Sequence, residues 1–151
     1  MNAFLLNLGL ETLALRMERH CSNALKVAQF LQADPRVAWV DYPDLEGNPN
    51  HALAKKYMPH GTCGVVSFGV KGGREAATKF MDSLEMASVV THVADLRTCC
   101  LHPASTTHRQ MSDEQLKEAG VAPDLIRLSV GIENPEDILA DIGQALEKAT
   151  H

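Results

Sequence analysis

Residues 124–133 read Asp-Leu-Ile-Arg-Leu-Ser-Val-Gly-Ile-Glu, and this stretch decides how the chain folds. Its apolar residues form a run of strand length that Gly131 ends. Arg127 lies inside that run, where an unpaired buried charge costs several kcal/mol. A guanidinium in a half-buried strand suits bidentate binding of a carboxylate. Arg127 is therefore either the anchor of a carboxylate-bearing ligand or one half of a structural salt bridge, and spacing alone favours the salt bridge.

Strand and helix patterns alternate on both sides of this segment. Strands are predicted at 37–41, 64–70, 88–91 and 98–102, and helices at 51–58, 74–84, 113–119 and after Asn134. Ser112 and Asn134 are predicted helix caps, with Pro135 at the first helical position of the last helix. This pattern predicts an α/β (α+β) two-layer sandwich with a mixed or antiparallel sheet and helices on one face.

A long helix over residues 2–32 is predicted to precede the sandwich. Apolar residues recur there mostly at three- and four-residue steps, Gly9 offers a bend, and Asp34-Pro35 ends the pattern. Residues 2–10 are apolar on nearly all sides, so we expect them to pack against something outside this sequence. We therefore divide the chain into an interdomain helix, 1–33, and a C-terminal domain, 34–151, as one structural domain overall.

Composition restricts the possible partners. The chain has 151 residues, which suits one domain, and a formal charge of −5, which argues against a nucleic-acid partner. No apolar run reaches membrane-spanning length. The four cysteines include no Cys-x-x-Cys pair, which predicts reduced thiols, a cytoplasmic protein and no zinc site. Adjacent Cys99 and Cys100 should point to opposite faces of a strand.

Few residues indicate chemistry by themselves. His102 has the side chain of an acid or base, but a histidine hydrogen-bonded inside the fold is the favoured interpretation. The hydroxyl run Ser105-Thr106-Thr107 is at least as well explained by a turn that satisfies its own backbone. Cys63 is a candidate nucleophile without an evident base, so a small buried residue is favoured. Residues 71–73, Lys-Gly-Gly, resemble a phosphate cradle by composition but indicate a strand-to-helix turn.

Several longer motifs occur in order along the whole chain. They are Asn-Ala-Phe-Leu at 2–5, Gly-Leu-Glu-Thr-Leu at 9–13, Arg-Met-Glu-Arg-His at 16–20, Ser-Phe-Gly-Val-Lys-Gly-Gly at 67–73, His-Pro-Ala-Ser-Thr-Thr-His at 102–108, and residues 124–133. Together they resemble the C-terminal small domain of the Cys/Met-metabolism enzymes, which have fold type I and depend on pyridoxal phosphate (PLP). The segment 51–57 and the Thr-Thr-His ending resemble O-acetylhomoserine sulfhydrylases more than cystathionine lyases.

The resemblance implies a substrate site. In the family, the arginine that matches Arg127 binds the α-carboxylate of the substrate, and a serine at the position of Thr98 supports it. Thr98 keeps the hydroxyl and adds a methyl group. Residues 93–97 depart from the family pattern, which usually has glycine near Ala94 and a small residue near Leu96. These residues border the substrate in the family, so the departure affects which substrate is expected.

The resemblance also implies that the reaction centre lies outside this chain. The family's Schiff-base lysine, its glycine-rich phosphate loop, its stacking tyrosine and its aspartate on the pyridine nitrogen have no counterpart in this sequence. We therefore assign no catalytic residue here. PLP is expected in a full-length enzyme, and neither PLP nor a metal is expected to bind this chain alone.

The function implied is PLP-dependent γ-replacement by a transferase that makes homocysteine from O-acetylhomoserine and sulfide. The expected partners are an O-acetylhomoserine-like amino acid, the missing N-terminal PLP domain and further copies of the chain in a homo-oligomer. One alternative is the C-terminal domain of a cystathionine or methionine γ-lyase, or of a γ-synthase. Others are a non-catalytic module that pairs with a separate PLP-binding chain, and a fragment with no native activity.

Overall fold

The computed structural model describes residues 1–150. Its helices are α1 (Asn2–Glu11), α2 (Leu13–Ala33), α3 (His51–Tyr57), α4 (Gly73–Ser83), α5 (Asp113–Glu118) and α6 (Pro135–Thr150). Its strands are β1 (Val37–Asp41), β2 (Val65–Val70), β3 (Ser88–Val89), β4 (Cys99–Leu101) and β5 (Leu125–Ser129). The predicted elements are present, with β3 shorter than expected.

The five strands form one mixed sheet in the order β1-β2-β5-β4-β3. All neighbours are antiparallel except β3 and β4, which are parallel. The strand that carries Arg127 is therefore the central one. Arg127 lies opposite Ser67 of β2 on one side and Leu101 of β4 on the other. The predicted two-layer architecture with a mixed sheet is confirmed.

Helices α2, α4 and α6 cover one face of the sheet. Ile126 and Leu128 of β5 are fully buried beneath them, together with Phe68 of β2. Phe68 also meets Phe80 of α4 edge to face, with the ring centroids 5.6 Å apart. Because side chains alternate along a strand, Arg127 and Ser129 point to the opposite face. We call this opposite surface the outer face.

The predicted long N-terminal helix is present as two consecutive helices, α1 and α2, so the prediction of one continuous helix is wrong. The break falls at Thr12, and not at Gly9 where the sequence offered a bend. The Arg16 guanidinium donates to the Thr12 hydroxyl and to the Gly9 carbonyl, which stabilises the broken turn. Helix α2 packs into the core, whereas α1 buries no residue. Within residues 1–150, no helix is long and apolar enough to span a membrane.

Local sequence signals set the element ends. Ser112 accepts from the Gln115 backbone N–H, and the Gln115 side chain accepts from the Ser112 N–H, so the predicted cap is a complete capping box. The Lys-Gly-Gly segment is the expected turn between β2 and α4. Gly72 and Gly73 adopt φ values of +108° and +68°, which favour glycine.

One buried carboxylate ties α6 to the loop after α4. Asp141 accepts hydrogen bonds from the backbone N–H groups of Glu85, Met86 and Ala87, at 2.8, 3.1 and 2.9 Å. Asp141 is only 6% exposed. These three donors would otherwise lack partners where the chain leaves α4 for β3.

We predict that Asp141→Ala lowers the free energy of unfolding by about 2 to 4 kcal/mol, because it leaves buried N–H donors unpaired. Urea unfolding measures this change. Asp82→Ala, at an exposed position of α4, is the control and should change stability by no more than about 0.5 kcal/mol. Equal effects of the two substitutions would contradict the assigned role of Asp141.

Candidate carboxylate-binding site

The Arg127 side chain is half-buried on the outer face and is only partly paired. Its Nη2 donates to the carbonyl oxygens of Thr91 and His92, at 2.7 and 3.3 Å. Its Nε is buried and has no hydrogen-bond partner. Among residues 1–150 no Asp or Glu carboxylate forms an ion pair with it, so the structural salt bridge that spacing favoured is not formed. A role in carboxylate binding stays a prediction.

Residues 91–97 run across the outer face between β3 and β4, and we call them the strap. Three contacts besides Arg127 hold it. The Ala94 N–H donates to the Ser129 hydroxyl at 3.1 Å, and the Ile132 N–H donates to the Leu96 carbonyl at 2.9 Å. The Cys99 thiol lies 3.7 Å from the His92 carbonyl oxygen, and burial raises the pKa of this thiol, which keeps its proton in place.

A charged turn organises the middle of the strap. The Asp95 carboxylate accepts from the Arg97 backbone N–H at 3.0 Å and lies 3.2 Å from the His92 Nε2. Hydrogen bonds from the Arg97 backbone and guanidinium, with a smaller one from His92, lower the pKa of Asp95 to about 2. Asp95 therefore remains ionised at neutral pH, and its charge fixes the local turn.

Thr98 follows the strap and is almost fully buried. Its hydroxyl donates to the Glu133 carboxylate and accepts from the Gly131 N–H, both at 2.9 Å. The Thr98 backbone N–H also donates to the Glu133 carboxylate. The structure thus brings Thr98 to the segment after β5 and does not bring its hydroxyl to the Arg127 guanidinium. A supporting role for Thr98 in substrate binding stays a prediction.

Two polar residues of α2 hold the same segment from the other side, and sequence reasoning missed them. The His20 Nδ1 lies 2.7 Å from the Val130 carbonyl oxygen. The Asn23 amide donates to the carbonyls of Gly131 and Glu133, at 3.0 and 2.9 Å. Their signal was the three-residue spacing of polar side chains on a helix face that is otherwise apolar. At Gly131, a Cβ atom would collide with the Glu133 carboxylate and the Leu96 carbonyl.

The structural interpretation of His102 is confirmed. The ring is fully buried, with Nε2 2.9 Å from the Pro123 carbonyl oxygen and Nδ1 2.8 Å from the Ser105 hydroxyl. Because a carbonyl only accepts, Nε2 carries the proton and Nδ1 accepts from Ser105. The Thr106 hydroxyl donates to the His102 carbonyl at 2.7 Å, so these hydroxyls serve their own turn. Burial lowers the pKa of His102.

The remaining candidates do not form a reaction centre among the described residues. The Cys63 thiol donates to the Val65 carbonyl at 3.3 Å. The lysines all have exposed positions: Lys26, Lys55, Lys56, Lys71, Lys79, Lys117 and Lys148. A lysine that forms a Schiff base works in an enclosed site, so residues 1–150 do not fit PLP. In the same range, no group of three or more His, Cys, Asp or Glu side chains is placed to hold a metal ion.

Comparison with known proteins gives a consistent result. A family model described as Cys/Met metabolism PLP-dependent enzyme matches residues 1–147. An O-acetyl-L-homoserine sulfhydrylase of Leptospira meyeri is 50% identical over 147 residues, which are 97% of this chain and 33% of that protein. A homocysteine synthase of Schizosaccharomyces pombe is 51% identical over 146 residues, which are 97% of this chain and 34% of that protein.

Two further matches bear on structure and chemistry. A crystal structure described as an O-acetylhomoserine (thiol)-lyase from Campylobacter jejuni, with N'-pyridoxyl-lysine-5'-monophosphate, has a TM-score of 0.88 and 44% identity. The match covers 97% of this chain and 35% of that one. An L-methionine gamma-lyase of Fusobacterium nucleatum is 44% identical over 97% of this chain and 37% of that protein. The chain thus spans about a third of the length of its relatives.

We predict that stability falls as His102 is forced to take a proton. Its pKa in the folded protein lies below the ordinary value of 6.5, so the unfolded chain protonates first as the pH falls. The free energy of unfolding should be constant above that value and decrease below it, until the folded protein also takes the proton.

Urea unfolding between about pH 8 and about pH 5 measures this dependence. His102→Gln should flatten the dependence, whereas His60→Gln, at an exposed position, should leave it as in the parent chain. A slope that persists undiminished in His102→Gln would contradict the assignment.

Proposed function

The chain belongs to the Cys/Met metabolism family of PLP-dependent enzymes, and from that premise we propose that it is the C-terminal substrate-binding domain of an O-acetylhomoserine sulfhydrylase. In this proposal residues 1–33, which contain α1 and α2, are the interdomain helical segment, and residues 34–151 are the substrate-binding domain. Support comes from the roughly one-third coverage of the relatives and from the sulfhydrylase names at about 50% identity.

The observation that carries the proposal is the incomplete pairing of Arg127. Its buried Nε lacks an acceptor, and a buried donor without one costs about 1 to 3 kcal/mol. The charge also has no carboxylate partner among residues 1–150. A substrate carboxylate would supply both the missing acceptor and the missing negative charge. We therefore propose that Arg127 binds the α-carboxylate of an amino-acid substrate.

We propose that Thr98 supports this site indirectly, by holding neighbouring segments in place and not by contacting the substrate. Its hydroxyl already has two partners, Glu133 and Gly131, so it is not free to bind substrate without losing them. Those bonds join the end of the strap to the segment that follows β5. We propose that Thr98 keeps the strap and Arg127 in register, and thereby helps to orient the substrate.

The whole enzyme would replace the γ-acetate of O-acetylhomoserine with sulfide and release homocysteine and acetate. PLP, when bound by the rest of such an enzyme, supplies the electron sink for this chemistry. This chain would bind the substrate carboxylate and fix its orientation. We assign no proton transfer to its residues and expect the chain alone to be inactive.

A γ-lyase is the second candidate, because the L-methionine gamma-lyase of Fusobacterium nucleatum matches 97% of this chain at 44% identity. The carboxylate anchor would be the same in either enzyme. The difference would lie in the side chain of the substrate, which the strap borders. The higher identity of the sulfhydrylases favours the first proposal.

The exposed apolar surface of helix α1 indicates that this helix packs against another polypeptide segment. Phe4, Leu6 and Leu10 are 61%, 70% and 62% exposed. We propose that this apolar helix packs against the PLP-binding remainder of a longer polypeptide or a separate chain that supplies it, within a homo-oligomer. All four cysteines are free thiols, which fits our proposal of a cytoplasmic location.

We predict that PLP labels no specific lysine of this chain. After incubation with PLP and borohydride reduction, peptide mapping should find weak labelling spread over the exposed lysines, because none is enclosed. The Campylobacter jejuni protein, whose structure contains a pyridoxyl-lysine, is the positive control. Stoichiometric labelling of one lysine of this chain would contradict the proposal of a substrate-binding domain without a reaction centre.

We predict that the chain binds the carboxylate of L-methionine weakly through Arg127, measured by NMR titration. Arg127→Gln should weaken binding about 10- to 100-fold, because a charged hydrogen-bond donor is lost. Arg109→Gln removes the same charge at an exposed position and should have little effect. Methioninol, which lacks the carboxylate, should not bind. Equal binding by both arginine variants would contradict the proposed anchor.

A further inference from the structure

The ion pair between Arg36 and Asp34 shows how a guanidinium binds a carboxylate in this chain. The Nε and Nη2 of Arg36 donate to the two carboxylate oxygens of Asp34, at 2.9 and 2.6 Å. These two nitrogens form one edge of the guanidinium, and a carboxylate that binds side-on needs both of them. The same edge of Arg127 is the natural place for a substrate carboxylate.

The strap occupies half of that edge in Arg127. Nη2 donates to the Thr91 carbonyl at 2.7 Å and to the His92 carbonyl at 3.3 Å. Nε, the other half, is buried and empty. Nη2 has two N–H groups, and the Thr91 and His92 carbonyls are two acceptors for them. Nε is buried, so a carboxylate reaches the Nε–Nη2 edge only when a group that covers it moves. The strap must give way before bidentate binding occurs.

We infer that the strap competes with the substrate carboxylate for Arg127, and that Ser129 is a positioning residue that sets how firmly the strap is held. The inference rests on the proposed function, because it takes Arg127 as the carboxylate anchor. Ser129 is two residues beyond Arg127 on the same face and is 4% exposed. Its hydroxyl accepts from Ala94 N–H in the middle of the strap.

The hydrogen bond to Ser129 holds a strained backbone. Ala94 has φ +66°, a left-handed conformation that is unfavourable for an alanine because its Cβ crowds the following carbonyl oxygen. A strained residue keeps such a conformation only where surrounding contacts enforce it. Specific contacts therefore hold the strap against the outer face, and loss of one of them should favour its release from Arg127. The apparent affinity for a carboxylate is the intrinsic affinity multiplied by the fraction of molecules in which the strap has left.

The test uses the full chain and two measurements. Hydrogen exchange of the Ile132 amide, which donates to the Leu96 carbonyl, reports whether the strap is seated. NMR titration with L-methionine reports carboxylate affinity. Ser129→Ala should speed the exchange and tighten binding about fivefold, since one neutral hydrogen bond no longer holds the strap. Ser129→Thr keeps the hydroxyl and should restore the parent values.

A second variant and a matched control make the test independent of one substitution. Ala94→Pro removes the N–H donor from the strap side, and proline cannot adopt φ +66°, so it should also tighten binding. Ser67 lies opposite Arg127 on β2, and its side chain forms no hydrogen bond to the strap within residues 1–150, so Ser67→Ala should leave both values unchanged.

The outcomes separate this inference from the proposed function. If L-methionine binds and Arg127→Gln weakens binding as predicted, but neither Ser129→Ala nor Ala94→Pro tightens it, the inference is overturned and the anchor stands. If no variant with an unseated strap binds L-methionine, the anchor and the inference both fail. Faster exchange together with tighter binding in Ser129→Ala and Ala94→Pro supports the inference.

Discussion

The structure depends on one constraint, the positive charge of Arg127 in the central strand of the sheet. Its neighbours in β5, Ile126 and Leu128, fix the strand to the helical layer and force Arg127 onto the outer face. No carboxylate of residues 1–150 neutralises it there. Backbone carbonyls of the strap give partial compensation, and Nε is left without an acceptor. The site is therefore stable yet incomplete.

A polar network connects this site to the helical layer. His20 and Asn23 of α2 bind the carbonyls that follow β5, and Glu133 in that segment binds Thr98 at the end of the strap. Helix α2 begins next to α1, the apolar helix for which we propose an external partner. Hydrogen bonds therefore connect α2, the segment after β5 and Thr98, the residue that follows the strap. The arrangement suits a substrate site completed by another part of an enzyme.

Local signals in the sequence predicted much of this fold, and long-range contacts were beyond them. The apolar run predicted the strand that carries Arg127, and Ser112 was correctly predicted as a helix cap. The sequence did not predict that Arg127 binds carbonyls 36 and 35 residues away, because backbone acceptors carry no residue signal. The link from Thr98 to Glu133 was missed for a related reason, since both side chains are common in solvated loops. The helix break at Thr12 was also missed; the Arg16 side chain donates hydrogen bonds there to Thr12 and Gly9.

The most direct measurement is the activity of a chimera in which this chain replaces the matching third of the Leptospira meyeri sulfhydrylase. We expect the chimera to make homocysteine from O-acetyl-L-homoserine and sulfide. We also expect Arg127→Gln to lower kcat/KM for O-acetyl-L-homoserine about 10- to 100-fold, and Arg109→Gln to leave it unchanged. A folded, PLP-loaded chimera that is inactive, or in which the two substitutions act alike, would contradict the account.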